Sequence, residues 1–193
     1  MLDKFIDYTY QIFPSIDTNT KNGIKELISQ FNTEKPNWFS SPLKTLSQGD
    51  ILDNVPFSYV NENGKEIVFM TKGIILSNTC DLTRDKYIII APLIPFNHDF
   101  KSATKENIKN NIVSGKMCFT NCYLDNYYID FSMSSSFVRK IIIKLFEDKK
   151  IIRLHSLSQF GFYFLCSKIA VYYLRVENYE NFSYRAKKMF FTA

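Results

Sequence analysis

The stretch "GIILSNTCDLTRDKYIIIAPLIPF", residues 73–96, sets two apolar runs on either side of a polar elbow. Both runs are short, isoleucine-rich and bounded by turn formers, which predicts two buried strands facing each other. A tight hairpin needs about two to five connecting residues. Here Ser77, Asn78, Thr79, Cys80, Asp81, Thr83 and Arg84 crowd the connection. Such a group is either a reactive site or a hydrogen-bonded corner. Ser, Asn and Thr side chains bond their own backbone in turns, and Asp81 and Arg84 are spaced to close a turn with an ion pair. Cys80 as a nucleophile would need a base, and nothing in the spacing places His98 or His155 beside it. The expectation is a corner that closes a wide loop.

Working outward, strand periodicity starts at Gly49. "GDILDNVPFSYV" reads as a strand broken at Pro56, "NENG" as a turn ending on Gly64, and "KEIVFMTKGIILS" as the returning strand. After the elbow, "KYIIIAPLI" is a strand closed by Pro92 and Pro95. Residues 97–115 form a polar insertion with a helical signal at Ile108 and Ile112, ended by Gly115. "KMCFTNCYLDNYYIDFS" supplies two more strands across a turn near Asp125 and Asn126. "FVRKIIIKLFED" fits both a strand and a helix, and a helix is expected. "SLSQ" at 156–159 reads as a capping box, preceded by His155 as a helix-start residue. Phe162, Leu165, Cys166, Ile169, Tyr172 and Tyr173 then lie on one face of a long helix, a core stripe.

About five consecutive short strands without alternating helices predict a mainly β protein with α, a small antiparallel barrel carrying a C-terminal helix. Upstream, Leu2, Phe5, Ile6 and Tyr10, then Ile24, Leu27, Ile28 and Phe31 beyond Pro14, predict two N-terminal helices. "NTEKPNWFSSPLKTLSQGD" reads as a connecting loop pinned by Trp38, the sole tryptophan. The chain divides into a helical extension (1–45), a barrel with its helix (46–178) and a basic aromatic tail (179–193).

At 193 residues one core with appended helices is the economical reading. The net charge of +5 is mild. Arg139, Lys140, Lys144, Lys149, Lys150 and Arg153 cluster, and Arg185, Lys187 and Lys188 crowd the end. They read as solvated faces, with a nucleic-acid groove as the alternative. Four cysteines, at 80, 118, 122 and 166, lack the spacing of a zinc knuckle or a disulfide scaffold. Reduced thiols, no metal and no cofactor are expected. The first residues carry Asp3 and Asp7 where a signal peptide needs an apolar run, and no segment reaches membrane-spanning length, so a cytoplasmic protein is expected.

Three segments, "QGDI" (48–51), "KGIILSN" (72–78) and "IIIAPLI" (88–94), resemble the signature strands of the MazF/PemK-like family. The resemblance implies an SH3-like barrel with a C-terminal helix, usually dimeric, and in typical members a metal-independent ribonuclease that cuts single-stranded RNA. The family's arginine falls here on Thr71, its usual proline on Lys72 and its hydroxyl on Ile94; Asp50 matches its acidic position. Lys72 supplies charge without the planar fork that grips phosphate, and Ile94 can move no proton.

The implied function is a barrel whose nuclease centre has decayed. It would act as a protein-binding regulator in a toxin–antitoxin or antiviral defence system, with Asp50, Lys72, Asn78, Asp81, Arg84, Arg139 and Lys140 lining the binding groove. The partner would be antitoxin-like, sigma-factor-like or a protease. In size and in its apolar ending "MFFTA" the chain is similar to a MazF-like subunit that sequesters a sigma factor until a CRISPR-associated Lon-type protease cuts it. The competing expectation is an active ribonuclease using Lys72 with Thr71 or Ser77, its RNA channel lined by Arg139 and Lys140. A DNA-binding regulator without activity comes third.

Overall fold

The computed structural model describes residues 37–97 and 100–174. The expected N-terminal helices, His98 and the basic tail lie outside the described residues.

Eight strands form one antiparallel sheet: β1 (Phe39–Ser40), β2 (Ile51–Val60), β3 (Glu66–Ile75), β4 (Tyr87–Pro95), β5 (Lys116–Met117), β6 (Tyr127–Asp130), β7 (Ser135–Val138) and β8 (Ile152–Leu157). Their spatial order is β1-β8-β2-β3-β4-β6-β5, with β7 also paired to β4. Among the described residues no pairing joins β1 to β5, so the barrel-like sheet is open. Four helices punctuate it: α1 (Asp81–Arg84), α2 (Ser102–Lys109), α3 (Arg139–Glu147) and the C-terminal α4 (Gln159–Leu174). None of the described helices is long and apolar enough to cross a membrane.

Strand alternation buries both faces. Ile51, Ile74, Ala91, Leu93 and Ile129 point to one core, closed by Trp38, Phe119 and Leu165 of α4. Leu52, Ile75, Ile88 and Ile90 point to the other, closed by Leu82 of α1 and Ile142 of α3. Gly73 lies where these strands crowd, since a Cβ there would meet the Ile90 side chain at 2.8 Å.

Several expectations change for local reasons. β2 runs through Pro56, and its irregularity falls at Asp53–Asn54, where the register with β3 slips and Asn54 takes φ 61°. Proline fits because β8 pairs with β2 only as far as Asp53, which leaves Pro56 on an edge needing no donor. β4 likewise runs through Pro92, which falls between the β7-paired residues up to Ile90 and the β6-paired residues from Leu93. Ile108 is buried in α2, but Ile112 lies beyond the helix and is exposed.

The cap of α4 sits two residues later than the capping box: Ser158 Oγ accepts from Gly161 N at 3.1 Å, while Ser156 remains in β8. The stretch expected as loop contributes β1, paired to β8, and Trp38. That indole is 3% exposed, donates to Thr120 O at 2.8 Å and packs on Phe119, Phe160 and Phe164. Gly161 lets α4 approach the Trp38 carbonyl, which a Cβ would strike.

Candidate functional site

The elbow is a fully bonded corner. Ser77 Oγ accepts from Ile89 N at 2.7 Å, Asn78 Oδ1 from Cys80 N at 2.9 Å and Thr79 Oγ1 from Gln48 N at 3.1 Å. Thr83 Oγ1 donates to Cys80 O at 2.8 Å. Arg84 meets Asp81 at 3.1 Å across the single turn of α1, and the carboxylate holds the exposed guanidinium above its usual pKa. The polar residues between the two strands therefore satisfy backbone groups that a wide connection leaves open. Cys80 is exposed, and His155 belongs to β8 rather than to this corner.

Arg139, at the start of α3, joins the elbow by donating its Nε to Asp85 O at 2.6 Å. Lys140 beside it is exposed. Thus Asn78, Asp81, Arg84, Arg139 and Lys140 gather at one end of the β3–β4 hairpin. Lys72 lies at the other, paired in register with Leu93. Asp50 joins neither: it is fully buried, accepting from Ser47 N at 2.9 Å, Arg153 at 3.1 Å and Ser156 Oγ at 2.5 Å. Arg153 also donates to Thr45 O and Leu43 O. Asp50 and Arg153 thereby clip residues 43–47 to β8.

The potential nuclease groups do not converge. Thr71 and Lys72, as strand neighbours, point to opposite faces. Thr71 Oγ1 donates to Leu93 O at 2.7 Å. Ser77 is about 16 Å along the chain from Lys72 at the usual strand rise, and Ile94 is half-buried.

Around Lys72 the fold assembles a different constellation. Its Nζ lies 3.6 Å from Asp53 at the β2 irregularity and 4.9 Å from the Tyr127 ring centroid. The His155 ring packs 5.0 Å from Tyr123 and 5.6 Å from Phe39. Burial chiefly, with smaller contributions from Cys122 and Asp53, raises the pKa of Tyr123, so that phenol stays protonated and can donate a hydrogen bond. An ammonium, a carboxylate, two phenols and an imidazole thus share this side of the sheet. Such a group can bind a polar or planar ligand and, with His155, can move a proton.

Sequence reasoning singled out Lys72 but missed Asp53, Tyr123 and Tyr127, and it placed His155 at a helix start. Their sequence separations carry no motif: Asp53 and His155 lie on the paired strands β2 and β8, Tyr127 on β6 two strands from Lys72 across β4, and Tyr123 in the turn before β6. Lys168 was also missed. Buried inside the aromatic helix, it donates to Asn111 O at 3.0 Å and Val113 O at 2.9 Å, and burial lowers its pKa. A second internal pair joins Lys116 to Asp130.

Among the described residues no group of three or more His, Cys, Asp or Glu is placed to hold a metal ion. Burial pushes the Cys118 and Cys166 thiols up to about 11, which keeps both protonated and unreactive near neutrality. No protein-family model matches the chain, and no curated protein matches it.

Proposed function

We propose that this chain is a MazF-like barrel without the family's nuclease centre, acting as a protein-binding regulator in a toxin–antitoxin or antiviral defence system. One observation carries the reading: Thr71, Lys72 and Ser77 stand apart, and both hydroxyls are engaged with backbone groups, at 2.7 Å in each case. Phosphodiester cleavage needs a proton-transfer group and a charge stabiliser converging on one phosphate. The arginine and hydroxyl positions of the resemblance, Thr71 and Ile94, supply neither. In this reading the partner is antitoxin-like, sigma-factor-like or a protease, and the sequestered protein is released by proteolysis.

The test is incubation of purified protein with a long unstructured RNA, followed by mapping of the ends. Intact RNA, together with one stoichiometric protein partner on co-purification, is the expected result. Specific cuts lost in Lys72→Ala and retained in Cys80→Ala would overturn it.

A ribonuclease is the second reading, favoured by the imidazole of His155 lying on the Lys72 side of the sheet with Tyr123 and Tyr127. Cuts lost in both Lys72→Ala and His155→Ala would establish it.

A further inference from the structure

At the elbow end, the sheet face that carries Ala91 and Leu93 further along β4 emerges uncovered. Tyr87 is 51% exposed, Ile89 46% and Val138 40%. Tyr87 and Val138 are cross-strand partners, with Ile89 two residues along the same face. The strip therefore spans roughly 5 by 7 Å between backbone positions and is wider once side chains are counted. Cations rim it. Lys86 Nζ stands 5.1 Å over the Tyr87 ring, Arg139 reaches Asp85 O, and Arg84 projects from α1 with its side chain 70% exposed. With Lys140, beside Arg139 on α3, these are four cations; Asp81 and Asp85 lie on the same elbow, and Asp81 is already engaged by Arg84.

We propose that this strip is the docking surface for an acidic amphipathic helix of a partner protein. The inference rests on the protein-binding reading above and names the partner's chemistry. A helix about 10 Å wide matches the strip, laying apolar residues on Tyr87, Ile89 and Val138 and carboxylates on the rim. A second copy of the same face would bring like charges together, which costs rather than gains. A polyphosphate would satisfy the rim but leave the apolar centre facing phosphate.

The test uses a fluorescein-labelled 15-residue peptide of leucine and glutamate, with leucine at i, i+3, i+4 and i+7. Its scrambled isomer, an oligouridylate and anionic vesicles serve as competitors, and anisotropy is read at about 150 mM salt, where long-range attraction is screened. The patterned peptide is expected to bind best. Ile89→Ser and Lys86→Glu should each weaken it about tenfold, as loss of an anchor does, while Lys65→Ala, exposed in the β2–β3 turn, leaves binding unchanged. Thermal melts confirm folding, and Val138→Ser replaces Ile89→Ser if the latter fails to fold.

Equal binding of the scrambled peptide, displacement by oligouridylate or vesicles, or unaltered binding by Ile89→Ser overturns the proposal. A natural partner that co-purifies equally with parent and Ile89→Ser overturns this docking surface while leaving the regulator reading intact. RNA cleavage overturns the regulator reading, and the peptide experiment is scored independently of it.

Discussion

The two ends of the β3–β4 hairpin differ in what their charges are for. At the Lys72 end the ammonium is paired with Asp53 at 3.6 Å and sits against Tyr127, so the group is largely satisfied within the protein. At the elbow end Arg84 and Arg139 also have internal partners, but Tyr87, Ile89 and Val138 on the neighbouring β4–β7 pair are exposed. Between the ends, Ile74 and Ala91 are fully buried under the Trp38 and α4 layer. The difference teaches that a basic cluster is read with its surroundings: the Lys72 cation is paired beside aromatic rings, whereas the elbow cations stand beside exposed apolar side chains.

The comparison breaks most visibly if the layer between the ends is removed. Asp50→Ala leaves the mostly buried Arg153 without its carboxylate, and a loss of about 3 kcal/mol is expected from urea unfolding. A near-neutral effect would return Asp50 to the list of binding residues. Gly161→Ala drives a methyl into the Trp38 carbonyl, so α4 must shift, with a loss of about 1–3 kcal/mol in the same measurement. Lys72→Ala should cost less than about 1 kcal/mol, because Asp53 is 41% exposed and its pair is solvent-screened. A larger loss would mean that the Lys72 end is purely structural.

Thiol chemistry sharpens the same contrast. Cys80, exposed at the elbow, should be alkylated first at neutral pH, and Cys118 and Cys166 only on unfolding; mass mapping of labelled peptides reads the order. For the buried Cys118 and the partly buried Cys166 the folded pKa, about 11, lies above the ordinary value of 9.0, so folding favours the protonated form. Their contribution is complete below pH 9.0 and fades as pH rises through about 11. Lys168 has the opposite sign: its lowered pKa means that folding disfavours its charge, a penalty relieved as pH rises toward its ordinary value of 10.5. Melts between pH 8 and 11 in Cys118→Ala and Lys168→Met separate the two trends.

Much was legible before any coordinates. The isoleucine runs around the elbow predicted facing strands, "NENG" predicted their hairpin neighbour, and Trp38 announced itself as an anchor because a lone tryptophan rarely stays outside a core. The corner at Ser77–Arg84 was legible as hydrogen-bonding chemistry, and its bonds fall where those residue types place them. The Lys72 constellation was not legible, since Asp53, Tyr123, Tyr127 and His155 belong to separate strands and loops. Nor was Asp50: an acid after glycine reads as a turn former, and only pairing with Arg153 and Ser156 shows that it is a buried clip.

By itself the sequence determined the local states, because period, turn residues and side-chain hydrogen bonding act over a few neighbours. Tertiary structure decided which strands carry Pro56 and Pro92 through unbroken, which hydroxyls are already bonded, and which apolar residues stay uncovered. Those outcomes depend on partners far along the chain, and a partner's arrival is settled by strand pairing and packing rather than by any residue's own preference.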